Sequence, residues 1–269
     1  MKKVGDGVRL TATDLANHLA CRHLSALDLA SALGRRRPPD WFSPDAAVLR
    51  ERGFDHETAF LEHLEGQGLR VIALGEPADE GAAFQGTLSA MRSGADVIAQ
   101  ATLLDGRWLG RADVLRRVER ESRLGAWSYE AWDTKLARET KGGSVMQVCM
   151  YSDMLERIQG ARPVWMHVVP PRAGFQPDSY RVDDYMAFYR LVRRRLETVV
   201  DAAAAPPTYP EPVPHCEICR WWPVCDGQRR RDDHLSLVAG ISRLQRRELE
   251  TRRDIVTLTG LAAQPLPLS

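Results

Sequence analysis

The first third of the chain carries apolar side chains at helical spacing. In residues 11–33, leucines recur on one face of a predicted helix, for which Thr11 or Thr13 is a suitable N-cap and Gly34 a suitable end. The same spacing predicts two further helices, over residues 45–65 and 79–92. The chain therefore begins with a predicted helical region.

After this region, polar and apolar residues alternate, which is typical of strands. Residues 96–102 are strand-like, and the Asp105-Gly106 pair that follows favours a hairpin turn. Three more strands are predicted, over residues 107–118, 127–135 and 163–169. Helices are predicted from Ser144, as the N-cap, to residue 158, and over residues 183–204. A proline-rich connector over residues 206–214 leads into the cysteine-containing segment, and short helices are predicted from residue 226 onward.

This order of elements predicts an α/β protein with helical segments on either side of its core. Four segments are predicted: an N-terminal helical region over residues 1–95, an α/β core over 96–205, a cysteine-containing segment over 206–233 and a small helical tail over 234–269.

Composition is that of a soluble globular protein, with 44% hydrophobic and 27% charged residues in 269. No apolar run reaches the roughly eighteen residues that a membrane span needs, and the first residues lack the apolar core of a secretory signal. We therefore expect a cytoplasmic protein with no membrane partner. A net charge of +1 does not indicate a nucleic-acid binder. The arginine triplets 35–37, 193–195 and 229–231 are interpreted first as solvated helix faces, and a stripe that binds phosphates is the alternative.

One group of polar residues falls on the predicted strands. Asp113 lies near the middle of one strand, while Asp133 and Lys135 lie at the end of the next, two residues apart and so on one face. If the two strands pair, Asp113 lies beside Asp133 and Lys135. Such carboxylates, with the Thr134 carbonyl, suit Mg²⁺ or Mn²⁺ and hence phosphodiester hydrolysis. Alone, the pattern is common by chance, and a surface ion pair is its simplest explanation.

Other residues add to this group. A lysine beside a metal can orient or deprotonate a water, since neighbouring cations and burial depress its pKa. Gln147 and Tyr151 are four apart on the next predicted helix and share a face. His56 lies on an earlier helix; its imidazole suits Mn²⁺, although a lone helical histidine is usually structural.

Cysteine usage is the second unusual feature. The chain has five cysteines, an odd number, and three of them form a Cys-x2-Cys-x5-Cys segment, at Cys216, Cys219 and Cys225. In a reducing compartment such crowding indicates metal or cluster ligation rather than disulfides. Cys21 is the candidate fourth thiolate. A zinc site would use the same trio with Cys21, His23 or His215. Cys149 is expected to be a buried helix cysteine.

The motifs of this chain, taken in their order along the sequence, resemble those of RecB-like nucleases in the restriction-endonuclease-like superfamily, over residues 10–230. They are His56, Asp113 in Gly-Arg-Ala-Asp, Asp133-Thr134-Lys135, and Gln147 with Tyr151. The arrangement of one early cysteine and three late ones resembles that of the iron–sulfur branch of this family. That branch includes AddB-type nucleases and the nuclease of CRISPR adaptation. Residues 10–24 resemble a RecB-like subfamily often fused to a helicase.

The resemblance implies a nuclease core with a mixed central sheet flanked by helices. It implies that His56, Asp113 and Asp133 bind the metal, that Lys135 activates water, and that Gln147 and Tyr151 support the active site and the DNA. It also implies a 4Fe–4S cluster on Cys21, Cys216, Cys219 and Cys225, which closes the segment 206–233 back on Cys21. One departure is that Asp133 stands where many relatives have glutamate.

The function expected from the resemblance is cleavage of DNA, from single-stranded ends, by an exonuclease with a helicase as partner or fused domain. Two alternatives remain open: a DNA-binding or assembly module with weak or absent cleavage, and a zinc-stabilised regulatory protein. The complete set of His56, Asp113, Asp133 and Lys135 favours the enzyme, because a binding module does not need it.

Overall fold

The structure is a computed structural model that describes residues 1–41, 46–75, 79–202 and 207–265. The chain divides into two compact units. The first unit comprises Met1–Ala20 and Asp45–Ala205, and the second comprises Cys21–Pro44 and Pro206–Ser269.

Strands and helices alternate through most of the described chain. In chain order they are β1 (Lys2–Val4), β2 (Gly7–Thr11), α1 (Ala12–Ala20), α2 (Arg22–Ala32), α3 (Ala46–Gly66), β3 (Val71–Ala73), α4 (Glu80–Arg92), β4 (Val97–Asp105), β5 (Trp108–Val118), β6 (Ser128–Thr134), α5 (Gly142–Gln159), β7 (Trp165–Val169), β8 (Asp178–Arg181), α6 (Val182–Asp201), α7 (Trp222–Arg231), α8 (Arg243–Arg253) and α9 (Leu258–Ala262).

The first unit is built on a mixed sheet, which confirms the predicted α/β class. β5 lies at its centre: β4 pairs with it antiparallel along one edge, and β6 pairs antiparallel on the other. β2 pairs parallel with the first residues of β5, on the same edge of β5 as β6, and β1 pairs antiparallel with β2. Outward from this centre, β3 is parallel to β4, β7 is parallel to β6, and β8 is antiparallel to β7. The helices α4 and α5 pack on β4 and β6.

Strand β6 is buried along its whole length, which is expected for an inner strand covered on both faces. Beside it, Phe60 and Leu64 of α3 pack against Val114 and Trp132 in one hydrophobic cluster. Burial of large apolar side chains of this kind contributes roughly 1.5–3 kcal/mol each. The sheet centre is therefore a rigid support for polar side chains at the strand ends.

The single helix predicted over residues 11–33 is wrong, because the structure has two helices there. Cys21 separates them with an extended backbone (φ −157°, ψ 112°) and caps the second, its sulfur accepting a hydrogen bond from the Leu24 amide. Thr11 caps the first helix, in a reciprocal pair of hydrogen bonds with Asp14. Gly34, at φ +71°, follows the second helix as predicted.

Most of the other predicted elements are present with small shifts. The N-cap at Ser144 is wrong: the helix begins earlier, at Gly142, after Lys141. The sequence missed the short strands β1, β2, β3 and β8, because three to five residues give too little alternation to detect. Three predicted boundaries lie outside the described residues: the start of one helix at residue 45, the end of another at residue 204 and the start of the connector at residue 206.

The second unit is formed by α2 and the chain after residue 206. Leu24 and Leu27 of α2 pack against Trp221 and Cys225 in a small hydrophobic cluster, with Trp221 fully buried. Short helices α7, α8 and α9 follow, as the sequence predicted. Across both units, none of the described helices is long and apolar enough to cross a membrane.

Candidate active site

Two aspartates stand side by side at the centre of the sheet. The antiparallel register of β5 and β6 pairs Val114 with Trp132, and one further step places Asp113 opposite Asp133. Side chains at such positions have Cβ atoms about 4.5–5.5 Å apart. The structure therefore brings the two carboxylates together, in the arrangement that strand pairing was expected to give.

Lys135 completes this group. Its Nζ lies 2.5 Å from Asp133 Oδ2, and its side chain is about one third exposed (31%), whereas the Asp133 side chain is fully buried. Burial, followed by the charge of Asp113, raises the pKa of Asp133 to about 7, against the attraction of Lys135. One ammonium thus faces two closely spaced carboxylates in a region with little water.

Without a bound cation the pKa of Lys135 is raised, whereas the depressed pKa expected from the sequence is that of a lysine beside a bound metal and stays a prediction. Burial does act to lower that pKa, but the charges of Asp133, Asp113 and Glu57 outweigh it and leave the pKa raised. Lys135 is therefore protonated at neutral pH as long as those carboxylates are not neutralised by another cation.

Thr134 fixes the orientation of Asp113. Its backbone amide and its hydroxyl both donate to Asp113 Oδ2, each at 2.8 Å. Two donors on one oxygen leave the other oxygen, Oδ1, as the atom free to face a ligand. The role predicted for the Thr134 carbonyl, as a metal ligand, stays a prediction.

Gln147 and Tyr151 form a hydrogen-bonded chain behind the carboxylates. Gln147 Nε2 donates to Asp133 Oδ1 at 2.7 Å and to the Tyr151 hydroxyl at 2.9 Å. The Tyr151 hydroxyl in turn donates to the Arg111 carbonyl at 2.8 Å, and the ring is buried. Gln147 therefore supports Asp133 directly, while Tyr151 supports it through Gln147.

His56 lies beside the group on α3. Its Nε2 lies 3.0 Å from the Val169 carbonyl oxygen, which also accepts the Lys135 amide at 3.0 Å. A carbonyl only accepts, so Nε2 is the donor in this contact and Nδ1 takes no part in it. The ring stacks on Phe175, with centroids 5.6 Å apart. His56 thus has one nitrogen left to bind a cation.

Glu57 also belongs to this site and was not predicted from the sequence. Its Oε1 accepts a hydrogen bond from Gln100 Nε2, and its side chain is half-buried. Burial, followed by the charge of Asp113, raises the pKa of Glu57, while Gln100 and Arg111 act in the opposite direction. One signal was available: Gln100 is a lone amide within the apolar run from Val97 to Leu104. A third carboxylate is therefore present beside the two aspartates.

The chemistry of this donor set fits a hard divalent cation. Asp133 Oδ2 is buried and has the ion pair with Lys135 but no hydrogen bond of good geometry. With Glu57 the site has three carboxylates against Lys135 and Arg111, and a divalent cation would offset the remaining negative charge. Within residues 1–41, 46–75, 79–202 and 207–265, no three His, Cys, Asp or Glu side chains already stand as a metal-binding group.

The four cysteines Cys21, Cys216, Cys219 and Cys225 line one cavity in the second unit. Three of the sulfurs accept backbone hydrogen bonds: Cys21 from Leu24 and Cys216 from Val213, both at 3.4 Å, and Cys219 from Trp221. An amide donor acts to lower the pKa of a thiol, but burial outweighs it at Cys219, whose pKa is raised, and burial raises the pKa of Cys225 to about 11. The thiolate form that binds metals is therefore reached by proton release on binding.

The walls of the cysteine cavity are mainly apolar and aromatic, with two histidines. Trp221 and Trp222 line it, and Trp221 Nε1 donates to Asp28 at 2.8 Å. His23 and His215 also line it, and burial lowers the pKa of each, which favours the neutral imidazole. Both histidines thus have the protonation state that zinc ligation requires.

Two further expectations are settled by the geometry. Cys149 is a buried helix cysteine, with its sulfur 3.6 Å from Met166 Sδ. The arginine triplets are not only solvated helix faces: Arg193 binds Asp105, Asp153 and Glu197, and Arg229 is buried against the Pro210 carbonyl. One member of each of these two triplets is therefore a structural residue.

A comparison with known protein families finds no family model that matches this sequence, and a comparison with curated proteins finds no match.

Proposed function

We propose that this protein is a metal-dependent deoxyribonuclease of the RecB-like type, with a restriction-endonuclease-like core. The observation that carries the proposal is the position of Asp113, Asp133 and Lys135 at the centre of a mixed sheet, with two carboxylates opposed across β5 and β6. A buried Asp133 beside a half-buried Asp113 is a costly pair of like charges, so the arrangement is best explained by a ligand that needs it.

Each residue has a defined part in this proposal. Asp113 and Asp133 hold Mg²⁺ or Mn²⁺, with Thr134 and His56 as further ligands. When bound, the cation polarises the phosphate and lowers the pKa of a bound water. Thr134 orients Asp113 and Gln147 orients Asp133, through the hydrogen bonds already described.

Lys135 acts on the attacking water. Its pKa is raised only by the neighbouring carboxylates, so their neutralisation leaves burial as the dominant effect and the amine can take a proton. The water oxygen then bonds to phosphorus as the bond to the leaving sugar oxygen breaks, and a proton must reach that oxygen. Because Lys135 is partly exposed, its proton can also return to solvent.

The DNA substrate, and the preference for single-stranded ends, rest on the family resemblance. Arg111, two residues before Asp113, is exposed and its charge reaches Glu57. Helix α8 adds exposed arginines in the second unit, at Arg243, Arg247, Arg252 and Arg253. Clustered guanidinium groups suit phosphate binding. A helicase, as partner or fused domain, remains part of the proposal.

The second part of the proposal is a 4Fe–4S cluster on the four cavity cysteines. Support comes from their convergence on one cavity and from the three amide donors to sulfur. The choice of iron–sulfur over zinc rests on the family resemblance, because thiolate ligands suit both. Zinc is the alternative.

The test is cleavage of end-labelled DNA by anaerobically purified protein. We expect shortening of single-stranded DNA with Mn²⁺ or Mg²⁺ and none with EDTA. Binding of DNA without cleavage in either metal would favour the assembly module instead. Iron and acid-labile sulfide are measured on the same sample, because stoichiometric zinc without sulfide would favour the regulatory protein.

A further inference from the structure

We propose that Glu57 is a third carboxylate ligand of the metal site and that Gln100 is the residue that positions it. The inference rests on the proposed function only in that it needs a divalent cation at Asp113 and Asp133. It does not depend on what that site cleaves.

The register of the sheet places Gln100 next to the site. On β4, the residues before and after it pair with Val114 and Ala112 of β5, so Gln100 stands opposite Asp113. From there its amide donates to Glu57 Oε1, on helix α3. The hydrogen bond thus fixes one carboxylate oxygen of Glu57 beside Asp113 and leaves the other oxygen to bind a cation.

The backbone of Gln100 is strained, which points to function rather than stability. Its φ is +57°, a left-handed conformation that L side chains rarely adopt. Among the described residues, three other non-glycine residues have a positive φ, and none of them lies in a strand: Phe175, Asp233 and Asp254. Glycine would adopt this conformation without strain. Strain of this kind is found at functional sites that hold a side chain in place.

The position of Glu57 is also unfavourable without a cation. The carboxylate is half-buried, and the charge of Asp113 acts on it. Arg111 and Lys135 offset that repulsion in part. A side chain kept in such a place for packing alone would be better replaced by a neutral one, such as glutamine.

The experiment measures Mn²⁺ affinity by calorimetry, and the melting temperature without metal, for two kinds of variant. Glu57→Gln keeps the shape and removes the charge. Gln100→Gly keeps the left-handed backbone and removes the amide. Gln100→Asn, which tolerates the same backbone but is too short to reach, guards against misfolding of the glycine variant. Glu62→Gln, an exposed residue on the same helix, is the matched control.

We expect Glu57→Gln to lose Mn²⁺ affinity by about 10-fold or more, and Gln100→Gly and Gln100→Asn by about 10-fold. The metal-free melting temperature should stay equal or rise in Glu57→Gln and Gln100→Gly, and Glu62→Gln should change neither quantity. Unchanged Mn²⁺ affinity in Glu57→Gln would overturn the ligand assignment. A lower melting temperature with unchanged affinity in Gln100→Gly would make Gln100 a structural residue.

The outcome is separable from that of the proposed function. If the variants lose Mn²⁺ affinity as expected but the wild-type protein cleaves no DNA, the metal-site inference stands and the nuclease proposal fails. If the wild-type protein binds no Mn²⁺ at all, the ligand role of Glu57 is overturned.

Discussion

Replacing Asp133 with asparagine should stabilise the protein without metal and destabilise it, relative to wild type, with metal. The Asp133 side chain is fully buried and faces Asp113 across the sheet. Asparagine has nearly the same shape and no charge. The substitution therefore removes the repulsion while it removes the metal ligand.

The magnitude follows from the pKa of Asp133, which burial and Asp113 raise to about 7 from the usual 3.8. Because the folded-state pKa of Asp133 is raised, the stability that the folded protein has with Asp133 protonated is fully present below pH 3.8. That stability is lost as the pH rises from 3.8 to about 7. At pH 8 the charged Asp133 thus costs ~4 kcal/mol, at about 1.4 kcal/mol per pKa unit.

Part of that gain is offset in the variant. Asparagine cannot accept from both Gln147 and Lys135, and a poorly satisfied buried polar group costs about 1–3 kcal/mol. The net gain should be ~2 kcal/mol, or a rise of about 5 °C in the melting temperature of a chain of this size. The gain should shrink as the pH falls from 7 toward 4, because Asp133 then becomes protonated in the folded protein.

The assay is differential scanning calorimetry at pH 5 and pH 8, with EDTA and then with Mn²⁺, with the exposed Asp55→Asn as control. At 100 times its Kd, a ligand stabilises the folded state by about 2.7 kcal/mol. Wild type should therefore gain from Mn²⁺ and Asp133→Asn should not. The reasoning is refuted if Asp133→Asn melts lower than wild type at pH 8 in EDTA, or if Mn²⁺ raises both proteins equally.

Two further predictions concern the cysteine cavity and the support of Asp133. Replacing any one of the four cavity cysteines, Cys21, Cys216, Cys219 or Cys225, should abolish the brown colour and lower the melting temperature, since a site formed only in the folded state contributes its binding free energy to folding. Cys149→Ser should keep both colour and iron; a Cys21→Ala protein with full iron and sulfide would remove Cys21 from the site. Tyr151→Phe should lower kcat by about 10-fold and Mn²⁺ affinity by less, because the variant loses only the hydrogen bond that holds Gln147 and keeps every metal ligand. An unchanged kcat would make Tyr151 a packing residue.

The sequence predicted those parts of the site that depend on alternation along strands. Asp133 and Lys135 are two residues apart, so any strand places them on one face, and Asp113 joins them because adjacent β5 and β6 pair as a simple meander. Helical spacing likewise placed Gln147 and Tyr151 together. In each case a periodic backbone turns sequence distance into spatial proximity.

The parts that were missed depend on conformations with no periodic pattern. Gln100 has a left-handed backbone inside a strand, and nothing in the neighbouring residues predicts a positive φ at that position. Glu57 follows His56 directly, and helical spacing does not place adjacent residues on one face. The break at Cys21 was missed for a similar reason: the leucine pattern continues across it, whereas the cap is formed by a sulfur.

The central claim, that this protein hydrolyses DNA through a metal site completed by Lys135, is tested most directly by single-turnover cleavage with saturating Mn²⁺. Wild type, Lys135→Ala and the exposed control Lys3→Ala are compared, with the Kd for DNA measured for each in Ca²⁺. The account predicts that Lys135→Ala cleaves about 100-fold or more slowly, binds DNA within about 2-fold of wild type because phosphate contacts are spread over many arginines, and that Lys3→Ala matches wild type. Cleavage by Lys135→Ala at the wild-type rate would contradict it.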